Sequence, residues 1–456
     1  MCVTIFHAFL ILRVHRFRCI SKVRKIHLKI NLNEILYAVS SALDNAEDEL
    51  LNSHDNELAT KIRPGHSKRI AAISIMAGKM MGLSNNDLTD LVSFSILHDN
   101  SLTEVNQEEL EYMKYNQGTG YSENDFNIRR CIIAENNMKY VPFRTNNRDV
   151  ILLHRECSDG SGPFEHTFDR TPIKAQLMHL AYMIEEKFDL RSPTKDIYKE
   201  ILYFVTNETR SFFAPDLAET FTKNFKYKDL MHLSDNQLDT YLAKATKHFN
   251  DEYSFSEVRN LATLFARIVD FKQHYTCRHS IGVAENAENM AKFYGFPEDK
   301  KTRFYLAGAL HDIGKLMIPN EILQKPAKLT DEEYLVMKRH VIYTYQILSQ
   351  IHSKGMDEVV RWASNHHEKI NGEGYPNGLT AKNLSKEEQI MTCCDIYQAL
   401  TEKRAYKAGF SHEKAMEIMR EMVLHGDLDN SIVEDMDQVF GGIQPDEAAP
   451  TATLMP

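Results

Sequence analysis

Apolar side chains return at spacings of three and four along most of this chain, the repeat of helices that bury one face. Val283, Ala287, Met290 and Tyr294 make the apolar face of a helix opened by His279. Phe304 and Ala307 stand seven and four positions before His311, and the run Tyr305–Leu310 between them is apolar. That pattern predicts a helix delivering His311 and Asp312 at its end, with Gly314 as the stop. His340 lies four after Val336 and seven before Ile347; His366 and His367 lie four after Trp362 and Ala363; Asp395 has Met391 and Ala399 four to either side. Each of these polar residues therefore falls on an inward helical face. Alternating, strand-like runs are scarce, so the expected fold class is all-α.

At longer range the pattern repeats itself. His66-Ser67 leads to His98-Asp99, and His279-Ser280 leads to His311-Asp312, with the same separation of 32 (98 − 66 and 311 − 279). Met81-Gly82-Leu83-Ser84 matches Tyr294-Gly295-Phe296-Pro297 as a helix stop and restart. His154 to Gly162 aligns with His366 to Gly374, at 56 and 55 residues from the preceding histidine (154 − 98 and 366 − 311). The expected organisation is two copies of one helical domain, 31–190 and 256–440, joined by a helical connector at 191–255. In the connector Ile197–Thr206 and Asp235–Phe249 read as helices, Ser234 and Gln237 as a capping box, and Pro193 and Pro215 as breaks. Residues 441–456, rich in Pro and Ala, read as a disordered tail.

Charge narrows the function. A formal net charge of −10 argues against a DNA- or RNA-binding protein, which needs a basic face for phosphates. The seven cysteines form no C-x-x-C pair and read as reduced, mostly core thiols. Residues 1–30 differ from the rest: they carry Arg13, Arg16, Arg18, Lys22, Arg24, Lys25 and Lys29 and no acid. They read as a basic extension: a disordered arm, a surface-lying helix, or an over-extended start of the reading frame. No stretch approaches a transmembrane span, and the expected location is the cytoplasm.

The chemistry lies in the second copy. His279, His311, Asp312, His340, His366, His367 and Asp395 on apolar faces are expensive to bury unless something pairs with them, and a metal centre explains all of them together. Imidazole and carboxylate ligands without thiolate suit iron, manganese or zinc in an open site. So many ligands exceed the needs of one ion that must also leave positions free, so two ions are implied, with an Asp able to bridge them.

Taken with Lys315, Gly374-Tyr375-Pro376, Ile318-Pro319, Lys325-Pro326, Glu332-Glu333 and Arg404 to Lys407, these residues resemble the signature of the HD-GYP subgroup of HD-domain phosphohydrolases, over about 256–435. The resemblance implies tandem HD-type domains and a phosphodiesterase acting on a cyclic dinucleotide through two iron or manganese ions. Cyclic di-GMP, opened to linear pGpG or on to GMP, is the first substrate it implies, and a GMP-AMP cyclic dinucleotide the second. In that chemistry a hydroxide bridging the metals attacks phosphorus in line. Asp312 and Lys315 then carry catalysis, Lys315 holding a phosphate oxygen. Arg404 and Lys407 hold the second phosphate and Tyr375 stacks on a base or touches a phosphate. The alternative is a cyclic-dinucleotide receptor or scaffold that partners diguanylate cyclases. A simpler nucleotide phosphatase leaves the Gly-Tyr-Pro loop without a purpose. A homodimer is a further expectation.

This chain departs from the subgroup's pattern at Lys369, Asn371, Gln398 and Ala405, none of them a metal ligand. Some members recruit a third ion through a Glu one turn before the first histidine; Tyr275 stands there, so two ions are expected. In the first copy His66, His98, Asp99 and His154 remain, but the slots of His340, His367 and Asp395 hold Arg130 (beside Arg129), Arg155 and Tyr182, and Asn100-Ser101 replaces the Gly-Lys pair. Two guanidiniums in a cation site predict a metal-free copy in which His and Asp pair with arginine, serving as a regulatory or dimerising platform, an anion sensor, or a plain remnant.

Overall fold

Helix starts follow local side-chain chemistry. Ser84, Thr194, Ser254, Thr330, Ser385 and Ser411 each accept a hydrogen bond from the backbone N–H three residues on. Ser254, Thr330 and Ser385 complete capping boxes with Glu257, Glu333 and Glu388. The computed structural model describes residues 27–29, 31–52, 62–104, 123–247, 252–273, 278–403 and 408–441.

The fold is all-α. The first half comprises α1 (Leu32–Asn52), α2 (His66–Met80), α3 (Asn85–Ile96), α4 (Glu123–Asn137) and α5 (Ile173–Lys187). Then come α6 (Lys195–Asn207), α7 (Pro215–Asn224), α8 (Tyr227–Met231) and α9 (Leu238–Ala245). The second half comprises α10 (Phe255–Lys272), α11 (His279–Phe293), α12 (Glu298–Leu310), a 3₁₀ turn (Ile313–Met317), α13 (Asn320–Leu323), α14 (Asp331–Met337), α15 (Arg339–Leu348), α16 (Met356–Ser364), α17 (Lys386–Thr401), α18 (His412–Leu424) and α19 (Asn430–Phe440). α2 packs against α3 and α5 as α11 packs against α12 and α17. Two three-residue strands, β1 (His27–Lys29) and β2 (Glu252–Ser254), pair antiparallel with Leu28 opposite Tyr253.

The halves share their core. One buried apolar cluster runs from Leu32 to Phe440. α1 packs on α2 and α3 and also on the Ile313–Met317 turn and α15, while α10 packs on α11, α12 and the 3₁₀ turn Met138–Tyr140. The buried Lys272 ammonium ties this seam, donating to Leu316 O (2.8 Å), Ile318 O (3.0 Å) and Glu49 Oε2 (2.9 Å).

Three local expectations need correction. The second connector helix spans Leu238–Ala245 rather than Asp235–Phe249, because the Ser234 hydroxyl donates to Met231 O (2.9 Å) instead of capping it. Pro215 is the first residue of α7, where its missing N–H has no partner to lose, and is not a break. Residues 27–29 of the basic extension form a strand. The rest of that extension, and the tail after Gly441, lie outside the described residues. Among the described residues no helix is long and apolar enough to cross a membrane.

Candidate metal centre

The backbone brings the ligand-type residues together before any side chain is placed. Asp270, near the end of α10, accepts hydrogen bonds from the Ser280 hydroxyl (2.6 Å) and the Ser280 N–H (3.2 Å), which fixes the first turn of α11 and His279. α12 lies against α11 through Gly308, where a Cβ would come within 2.7 Å of Ala284 Cα. That close crossing sets His311 and Asp312 beside His279. Gly314 allows the next approach: a Cβ there would lie 2.0 Å from His340 O. The Thr344 hydroxyl bridges the same contact, donating to His311 O (2.9 Å) and accepting from Gly314 N (3.1 Å).

The imidazoles are oriented by backbone carbonyls one turn earlier. The Nδ1 atoms of His311, His340 and His366 sit 2.7, 2.8 and 2.6 Å from Gly308 O, Met337 O and Ala363 O. These bonds set the tautomer with Nδ1 as donor and leave each Nε2 lone pair facing inward. Asp312 stands in the middle. Its Oδ2 lies 3.2 Å from His311 Nε2 and 3.9 Å from His279 Nε2, and its Oδ1 lies 3.4 Å from His340 Nε2 and 3.8 Å from His366 Nε2. Asp395 Oδ1 lies 3.2 Å from His279 Nε2 and 3.7 Å from His311 Nε2; its Oδ2 lies 3.9 Å from His367 Nδ1. Lys315 Nζ is 2.5 Å from Asp312 Oδ2.

Electrostatics leave the two carboxylates ionised and three of the imidazoles neutral. Burial alone would raise the Asp312 carboxyl, but the His311 ring and the Lys315 ammonium hold it well below its ordinary value. Asp395 is likewise held down, against burial, by its bond to His279 and the charge of His311. Burial lowers His366 and His367 and takes His340 to about 3, so these rings are neutral and free to donate a lone pair. His279 moves the other way, to about 10, because bonds to Asp395 and Glu402 outweigh its burial.

A metal fits this arrangement. His311 Nε2 and Asp312 Oδ1 are buried without a hydrogen-bond partner. Three trios, His279/His311/Asp312, His311/His366/Asp395 and His340/His366/His367, each hold their donor atoms within 4.8 Å of one another. Nitrogen and oxygen donors of this kind suit a divalent transition metal.

The Gly-Tyr-Pro loop is pinned beside the centre. Buried Glu368 accepts from Asn377 N (2.6 Å) and Leu379 N (2.8 Å), and Tyr375 N donates to His367 O (3.1 Å). The Tyr375 ring lies 4.8 Å from the His367 ring. Lys369 and Asn371 both turn to Asp427 (2.9 and 3.0 Å), and Gln398 accepts from Asn286 (3.2 Å). Arg404, Ala405, Lys407 and Tyr275 lie outside the described residues. Two neighbours escaped the sequence reading. Glu402 Oε2 sits 3.3 Å from His279 Nδ1; its one signal was a position seven after Asp395. Lys338 Nζ lies 5.0 Å above the Tyr375 ring, with no signal beyond its nearness to His340.

In the first half Asp99 is held by Arg130 (2.7 Å) and Arg155 (3.1 Å), and Arg155 stacks over Tyr182 at 4.8 Å, while Arg129 is exposed. His98 Nδ1 and His154 Nδ1 meet carbonyls one turn earlier, Ser95 O (2.9 Å) and Ile151 O (2.5 Å), as their counterparts do.

Residues 263–432 match the HD domain family. A 3'3'-cGAMP-specific phosphodiesterase 1 from Vibrio cholerae is 27% identical over 428 residues, covering 91% of this chain and 93% of that protein. A cyclic di-GMP phosphodiesterase from Pseudomonas aeruginosa is 35% identical over 178 residues, 39% of this chain and 43% of its own length. The crystal structure of a cyclic GMP-AMP specific phosphodiesterase from V. cholerae, V-cGAP3, shares the fold, with a TM-score of 0.58 at 23% identity over 92% of this chain and 99% of that one. The stretch 263–432 thus matches the HD domain family, and the His311-Asp312 pair inside it stands in the middle of the donor cluster.

Proposed function

We propose that this chain is a metal-dependent phosphodiesterase that opens a cyclic dinucleotide to the linear dinucleotide. The observation that carries the reading is the placement of Asp312, with one carboxylate oxygen toward His279 and His311 and the other toward His340 and His366. A carboxylate so placed can bridge two ions, and the seven residues His279, His311, Asp312, His340, His366, His367 and Asp395 supply the donors for a pair, iron or manganese. Bound ions supply Lewis-acid chemistry, drawing charge from a phosphoryl group and making water a nucleophile at neutral pH.

The chain's own residues do the rest. Lys315, paired with Asp312 at 2.5 Å, takes a phosphate oxygen at the edge of the cluster. Tyr375, with Lys338 over its ring, stands where a base or its phosphate would meet the edge of the cluster. Arg404 and Lys407 hold the second phosphate. In this reading 256–440 is the catalytic domain, 31–190 a degenerate copy and 191–255 the connector.

One observation favours the mixed dinucleotide over cyclic di-GMP. The relative named as specific for 3'3'-cGAMP aligns over 91% of this chain, whereas the cyclic di-GMP phosphodiesterase aligns over 39%. Incubation of manganese- or iron-loaded protein with each dinucleotide, followed by chromatography, tests the reading. Linear product supports it. Tight binding without product favours instead a receptor that partners a cyclase.

A further inference from the structure

We propose that the first half of the chain binds a single divalent transition-metal ion through His66, His98 and Glu47. The donor atoms of these three buried residues lie within 4.8 Å of one another. His66 Nε2 and His98 Nε2 are buried and have no hydrogen-bond partner. Both rings are held from behind: His66 Nδ1 by the buried Glu185 carboxylate and His98 Nδ1 by Ser95 O at 2.9 Å. A carboxylate behind an imidazole and a carbonyl behind its neighbour are the supports that orient histidine ligands and raise their basicity. Two imidazoles and one carboxylate, with positions left open, suit iron(II), manganese or zinc.

Glu47 changes the charge balance that two arginines alone would dictate. It follows Asp44 by three residues on α1, and Asp44 accepts from the Ser67 hydroxyl and N–H as Asp270 does from Ser280. Three residues after Asp270 stands the neutral Gln273, the residue just past the end of α10. The first half therefore has a carboxylate that the second half lacks at this position. Arg130 and Arg155 are both committed to Asp99. Arg69 is paired with Asp235 (2.6 Å), so each guanidinium near the trio already has a carboxylate partner. Arg130, Arg155 and Tyr182 occupy the half of the cluster where a second ion would sit, which limits the site to one. This inference departs from the metal-free copy expected from the arginines and does not rest on the catalytic reading.

Metal analysis of the full chain tests it. A variant with His311→Ala, Asp312→Ala and His366→Ala, which breaks all three trios of the second half, is loaded with Mn(II), desalted and measured by mass spectrometry. One ion per chain should remain, and adding Glu47→Gln with His98→Gln should remove it. A folded triple variant, by circular dichroism, that holds no ion overturns the site. If the triple variant does not fold, the comparison is wild type against Glu47→Gln/His98→Gln alone. That pair should lose one ion per chain and keep the others; an unchanged stoichiometry overturns the proposal.

Discussion

Replacing Lys272 by Met should destabilise the second half although Lys272 touches no candidate ligand. Its side chain is 1% exposed, and Met fills similar space without the ammonium. Ile318 O loses its donor, and an orphaned buried acceptor costs about 1–3 kcal/mol. Leu316 O keeps the Asn45 amide (3.0 Å) and loses one of its two bonds, about 0.5–1.5 kcal/mol. Glu49 is 25% exposed and regains water, so it adds little. Burial already lowers the Lys272 pKa, a penalty the Met variant no longer carries, and this places the net loss near the bottom of the summed range, at about 2 kcal/mol. The chain has one tryptophan, Trp362, buried on α16 with its ring 5.3 Å from Phe304. Its fluorescence during urea unfolding therefore reports the loss of packing around α16 in the second half. A loss below about 0.5 kcal/mol, the scatter of ordinary surface substitutions, would refute the argument that this ammonium ties α1 and α10 to the Ile313–Met317 turn.

Other tests follow from the same geometry. His311→Ala with Asp312→Ala should abolish hydrolysis and release most metal from the second half; retained turnover refutes the assignment. Glu402→Ala removes the carboxylate behind His279 and should weaken metal binding about 10–100-fold, measured by competition with a chelating dye. Gly314→Ala drives a Cβ toward His340 O and should cost about 1–3 kcal/mol or more by Trp362 fluorescence. Dialysis against a strong chelator should remove hydrolysis, with manganese or iron restoring it and magnesium, which prefers all-oxygen sites, failing to do so.

Much of the centre was legible because helical periodicity survives tertiary folding. His279, His311, His340, His366 and Asp395 each follow or precede an apolar residue by one turn, and a residue on the apolar face must point inward wherever its helix lies. The repeat was legible for the same reason, through spacing. Some helix ends were not. Glu402 depends on where α17 stops and the chain turns back, and Ser234 chose Met231 O over a cap because the preceding turn placed that carbonyl within reach. Glu47 was hidden in a helix outside the repeated motif, and only the packing of α1 on α2 and α3 sets it beside His66 and His98. The sharing of α1 and α10 across both halves leaves no periodic trace at all.

The most direct measurement is product analysis of the manganese- or iron-loaded full chain incubated with 3'3'-cGAMP and, separately, cyclic di-GMP. The account predicts a linear dinucleotide from at least one of them, with the mixed dinucleotide turned over faster, and no product from the His311→Ala/Asp312→Ala variant. Intact cyclic dinucleotide after prolonged incubation with fully loaded protein would contradict it.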